Sequence, residues 1–358
     1  MDRRNFIGSS FGLISGGMLG SPVRAGEDEP AQMSGIEIVD AHHHMVYTPA
    51  KGDKPAFQYL LPDLVKDISE SGLHVTQTVA VQNYSMYRLD GPSELKPVGE
   101  TEFLNGIAAM SASGVYGPCR VAAGIVAYGS LRLGDLLNTV MDEHVRVAGT
   151  RLKGIRDSSA WDEYPVMGIP LDPARRTLFD DDSSLVGLRV LAKRGLSFDT
   201  WCFYHQIGNV SAIARRVPEL TFILNHVGSP LAVGPYAGKQ KEVFRDWKAA
   251  IVQAAKVPNL VVKLGGLGMR FVSSTLTDRP NPATSTELAT AWTPYFETCI
   301  EAFGARRCMF ESNYPADAGV GTYATLWNAF KRFASQASAD EKLALFGGTA
   351  KRVYRLAS

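Results

Sequence analysis

Four cysteines in 358 residues, at positions 119, 202, 299 and 308, leave no CxxC spacing, so a zinc knuckle or thioredoxin-type redox site is excluded. Charge of one sign is also missing. Lys+Arg 37 against Asp+Glu 36 gives a net charge of +1, which offers no basic face for nucleic acid. The 34 glycines and 19 prolines follow no period, and no internal repeat of solenoid length appears. The weakly apolar stretch near the N-terminus is too short and glycine-rich for stable membrane insertion. What remains is 45% hydrophobic and 20% charged, the composition of a globular protein with a substantial core. Its length suits one large α/β barrel or two modest domains.

Residues 1–25 read as an address rather than as fold. Arg3 and Arg4 precede Asn5-Phe6-Ile7, a Gly/Ser-rich stretch runs to Leu19, and Ser21-Pro22-Val23-Arg24-Ala25 has small residues at both positions of a cleavage site. The segment resembles a twin-arginine export signal, with residues 26–35 as a linker, and predicts a periplasmic protein. In that compartment the cysteines can pair, yet Cys202 and Cys308 sit in apolar runs where a buried free thiol is expected.

From residue 36 onward, short apolar runs alternate with amphipathic stretches. Strands are expected at 36–44, 75–82, 120–127, 151–156, 196–203, 221–226, 259–264 and 307–312. Helices are expected at 62–71, 100–111, 133–147, 184–194, 207–217, 241–256, 294–303, 323–335 and 339–354. Eight strand-then-helix units predict a single-domain (β/α)8 TIM-like barrel over residues 36–358. No Gly-x-Gly-x-x-Gly follows the first strand, which argues against a doubly wound sheet. Residues 85–98 and 158–182 are long loops on the rim where barrel sites are built.

Histidines gather at the predicted strand ends. In Asp40-Ala41-His42-His43-His44 the alternation of an extended chain sends Asp40, His42 and His44 one way and His43 the other. His42 and His44 are thus placed to hold one divalent ion, for which imidazole suits zinc, manganese or iron. His205 follows the fifth strand and His226 ends the sixth. His74 and His144 read as surface or structural residues.

Asp40-Ala41-His42-x-His44, the 198–205 segment, Leu224-Asn225-His226-Val227-Gly228-x-Pro230 and Phe310-Glu311-Ser312-Asn313-Tyr314-Pro315 together resemble the amidohydrolase-related family. This branch of the metal-dependent hydrolases includes lactonases and non-oxidative decarboxylases, and the likeness extends to about Leu356. The resemblance implies that His42, His44 and His226 bind a divalent metal, zinc foremost, or in metal-independent lactonases the scissile carbonyl. It makes His205 and Arg156 substrate-binding residues, Arg156 because a guanidinium fork suits a carboxylate or lactone oxygen. Lys263, Tyr84 and Trp161 complete the candidate substrate-binding set.

The eighth strand departs from the family pattern. Members usually carry an Asp there as metal ligand and general base, where this chain has Asn313, which takes no proton at neutral pH. Glu311, two residues earlier, is expected to supply the carboxylate with Asn313 orienting water; Asp317 in the following loop is the other candidate base. The expected activity is hydrolysis of a small cyclic ester or related carbonyl compound bearing a carboxylate. The alternatives are a zinc-dependent amidohydrolase, a decarboxylase, or a non-catalytic barrel that binds a small molecule. A small-molecule substrate, no nucleic acid and a possible homo-oligomer complete the expectation.

Overall fold

Runs rich in Val, Ile and Ala are bounded by helices with one apolar face, a pattern that buries both faces of a parallel sheet. The computed structural model describes residues 33, 35–52 and 55–357, and the segment read as an export signal lies outside them. Eight parallel strands follow one another in order: β1 (Ile38–His43), β2 (Val75–Val81), β3 (Arg120–Tyr128), β4 (Leu152–Ser158), β5 (Ser197–Trp201), β6 (Phe222–Leu224), β7 (Leu260–Leu264) and β8 (Cys308–Phe310). Each falls on an expected run. This is a (β/α)8 barrel.

Closure depends on the segment just beyond β8. Asn313 N donates to His42 O at 2.8 Å, His44 N donates to Tyr314 O at 2.8 Å, and His43 bridges Tyr314 in parallel register. An irregularity in β1 between Asp40 and His43 overturns the expected alternation. Asp40 turns away from His42 and His44 and accepts hydrogen bonds from Ser312 N, Ser312 Oγ and Tyr323 Oη. His43 points the other way as expected, bonded to Thr78 Oγ1 at 2.8 Å.

Two cores result. The larger lies between strands and helices, where Phe310 stacks on Phe330 at 4.7 Å. The smaller fills the barrel: Val39, Val79, Val126, Ile223, Val261 and Met309 meet Val353 and Tyr354 of the last helix, Thr349–Tyr354. All four cysteines are buried and unpaired. Among the described residues no helix is long and apolar enough to cross a membrane.

Two elements differ from expectation. A short antiparallel ribbon, Val46–Thr48 with Phe57–Tyr59, follows β1. The helix expected from Pro294 begins at Ser285 and carries Pro294 inside it. Its start is set by a capping box: Glu287 N donates to Thr284 Oγ1 at 3.2 Å and Thr284 N to Glu287 Oε2 at 2.9 Å. Pro294 lies beyond that first turn, so its missing backbone donor leaves the cap intact. Thr284→Ala is therefore expected to cost about 1 kcal/mol in chemical denaturation, with an unchanged m-value.

Candidate active site

Strand ends bring four groups to one mouth of the barrel. Glu311 is fully buried, and its Oε1 accepts from His226 N at 3.0 Å and pairs with His226 Nδ1 at 2.7 Å. Its Oε2 lies 2.8 Å from His42 Nδ1 yet makes no directed hydrogen bond. The His42 and His226 ring centroids are 4.7 Å apart, and His44 Nε2 faces His42 Nε2 at 3.2 Å. His44 is steered by its Nδ1, 2.8 Å from Val81 O.

Backbone strain and two glycines make this convergence possible. His226 and Asn313 have φ of 55° and 50°, left-handed values uncommon for residues with a Cβ and concentrated at functional sites. Gly265 and Gly266 follow β7 directly. A Cβ on Gly265 would stand 2.5 Å from Glu311 Cγ, and one on Gly266 2.4 Å from the His226 ring. The Gly-Gly pair after a strand was the sequence signal for this close approach.

Burial keeps the His42 and His44 imidazoles neutral. Burial pushes His42 and His44 well below the usual histidine range, Lys263 and other cations adding to this at His42 and Arg156 at His44. Arg156 lies with Nη1 3.2 Å from His42 Nε2 and hydrogen-bonds Gln82 O through Nη2. No carboxylate is ion-paired to it among the described residues. Lys263 is paired with Asp199 at 2.8 Å and touches His42 Nδ1 at 3.1 Å from inside the barrel. Asn313 Nδ2 donates to Asp317 Oδ1 at 2.8 Å, and Gly268 N donates to Asp317 Oδ2 at 3.0 Å. Burial pushes the Asp317 carboxyl up to about 8.

The expected site residues thus divide. His42, His44, His226, Glu311, Arg156 and Lys263 meet, and Asn313 with Asp317 borders them. His205 is carried past the end of β5 by the turn Tyr204–Gln206, so its Nε2 faces Trp161 O at 3.3 Å and Asp162 at 3.6 Å. Trp161 lines a surface cleft with Tyr164 and Tyr236. Tyr84 packs against Tyr128 with centroids 5.5 Å apart. His144 is a satisfied core residue between Thr101 Oγ1 and Tyr128 O. Asp199 and Glu100 were given no role from the sequence, although a lone acid within the apolar 196–203 run was visible.

A divalent ion fits this donor set. His42, His226 and Glu311 each offer one ligand atom, all within 4.8 Å of one another, so Glu311 stands where the sequence placed His44. The buried, undirected Glu311 Oε2 is the kind of orphaned oxygen a cation satisfies. Two imidazoles and a carboxylate are a donor set that zinc accepts.

The barrel and this mouth have an amidohydrolase architecture, and the sequence relatives agree. The chain belongs to the Amidohydrolase family, whose profile matches residues 39–356. It is 31% identical over 345 residues to the uncharacterized protein y4mH of Sinorhizobium fredii, covering 90% of this chain and all of that one. It is 30% identical over 262 residues to the L-fucono-1,5-lactonase of Burkholderia multivorans, covering 72% of this chain and 77% of the relative. Its fold matches an amidohydrolase from Burkholderia multivorans with bound zinc at TM-score 0.66 and 23% identity, covering 90% of this chain and 100% of the other.

Two predictions test the site's construction. Gly266→Ala forces the His226 ring aside, so zinc affinity is expected to fall at least about ten-fold by chelator competition. Glu100, which accepts Asn83 N and Ser85 N, has its carboxyl pushed by burial up to about 7 from 4.5. A folded pKa above the unfolded one means its contribution is full below about pH 4.5 and lost as pH rises to about 7. Glu100→Gln is expected to remove a decline of about 3 kcal/mol across that window in denaturation midpoints, whatever its offset.

Proposed function

We propose that this chain is a hydrolase of small lactones carrying a carboxylate or comparable anionic oxygen. One observation carries the reading: the Glu311 carboxylate is fixed on His226 by one oxygen and presents the other beside His42. The lactonase name of a relative that aligns over 72% of the chain supports the substrate class.

His42, His226 and Glu311 would hold a zinc ion, which when bound polarises an ester carbonyl and lowers the pKa of water. The chain's own groups supply the rest. Arg156, to which no carboxylate is ion-paired among the described residues, binds the anionic part of the substrate and orients the carbonyl. Glu311 Oε2 takes a proton from the attacking water as its oxygen bonds to the carbonyl carbon. The ring C–O bond then breaks, and that proton passes from Glu311 to the departing ring oxygen, giving the open hydroxy acid. Asn313, its amide nitrogen held by Asp317, offers Oδ1 as an acceptor that orients water. Asp317, with its carboxyl raised to about 8, holds its proton at neutral pH, which favours Glu311 over it as base.

The test is turnover of a panel of sugar and carboxylated lactones by purified protein, with zinc content measured before and after chelation. About one equivalent of zinc and activity lost on chelation are expected. Glu311→Gln should lower kcat by at least about 100-fold with folding retained. Undiminished turnover by Glu311→Gln, or none by the wild type on any lactone, would overturn the reading.

A further inference from the structure

The barrel interior beneath the histidines is not wholly apolar. Asp199 of β5 and Lys263 of β7 form an ion pair at 2.8 Å with no exposure of either side chain. Such a pair is a weak source of stability, because desolvating both charges offsets most of their attraction. Its partners show what else it does.

Asp199 Oδ1 also accepts from Asn225 Nδ2 at 2.9 Å and from Tyr354 Oη at 2.9 Å, and Asp199 Oδ2 lies 3.1 Å from the same phenol. Lys263 Nζ sits 5.4 Å from the Tyr354 ring centroid and 3.1 Å from His42 Nδ1. Asn225 immediately precedes His226. One carboxylate therefore connects to both histidines, through Lys263 to His42 and through Asn225 to the backbone of His226. Tyr354, fully buried at the end of the last helix, supplies that carboxylate with a phenolic donor.

We infer that Tyr354 is a positioning residue of the active site, fixing His42 and His226 from the closed end of the barrel through Asp199. Burial and the neighbouring Asp199 carboxylate push its phenol well above the usual range, so it stays a donor. Lys263 reaches His42 on a flexible four-carbon stem, and its head is located by what holds it: Asp199 and the Tyr354 ring. Removing the phenolic oxygen leaves Asp199 with fewer donors and lets its carboxylate turn, and Lys263 and Asn225 follow. Small misplacements of catalytic groups reduce rate far more than binding. The last helix is thereby tied to the chemistry at the opposite end of the barrel.

The inference rests on His42 and His226 serving lactone hydrolysis, so its test has one arm independent of turnover. Tyr354→Phe in the full chain keeps the ring and its packing. Its kcat is expected to fall about ten-fold with KM within two-fold. Asp199→Asn should lower kcat as well, and the double variant no further than Asp199→Asn alone. In protein labelled with 15N-histidine, the ring-nitrogen resonances of His42 should shift in Tyr354→Phe, while those of His144 stay in place. Unchanged kcat together with an unmoved His42 resonance overturns the inference, whatever happens to the melting temperature. Should the wild type hydrolyse no lactone, the resonance alone decides: a shift supports the positioning role and its absence overturns it.

Discussion

The contact on which the site depends is that of Glu311 with His226. A single carboxylate oxygen meets both the backbone N–H and the ring Nδ1 of one residue, which fixes that imidazole's position and its orientation together. Few arrangements allow this, and the chain meets their demands locally. His226 takes a left-handed backbone conformation, and Gly265 and Gly266 remove the two Cβ atoms that would occupy the space. With one oxygen committed, the other stands beside His42 among side chains that are all buried. Electrostatic interactions there are correspondingly strong.

The same short segment closes the barrel. Ser312 and Asn313 bond to β1 at Asp40 and His42, so the residues that carry the chemistry of the eighth strand also join the last strand to the first. A shift of that segment would move Glu311 and the His42 backbone together. Asp40 belongs to this joint rather than to the mouth. Burial raises its carboxyl to about 6, and three donors from Ser312 and Tyr323 compensate for the lost hydration.

How much of this the sequence revealed follows from the range of each signal. Alternating apolar runs and amphipathic stretches are local, and the eight strands fell where periodicity put them. The convergence of His42, His44 and His226 was legible because barrel topology sends all strand ends to one face. Glu311 was legible through an anomaly, an acid in an otherwise apolar strand two residues before Asn313. His205 was not, because a turn of three residues carried it beyond the mouth, and the outward rotation of Asp40 hid in a strand irregularity. The role of Tyr354 needed three dimensions: its phenol meets Asp199, 155 positions earlier in the chain, and no local pattern marks a contact over that interval. Pro294 misled for a different reason, since proline is favoured in a first turn yet a strong cap upstream extended the helix past it.

The central claim is that Glu311, rather than the residues around Asn313, supplies the acidic group of the site. Anomalous diffraction at the zinc edge from crystals of zinc-loaded protein tests it most directly. The account predicts one strong peak enclosed by His42, His226 and Glu311, with Glu311 Oε2 in contact with it. A peak against Asn313 and Asp317 with Glu311 turned away would contradict it.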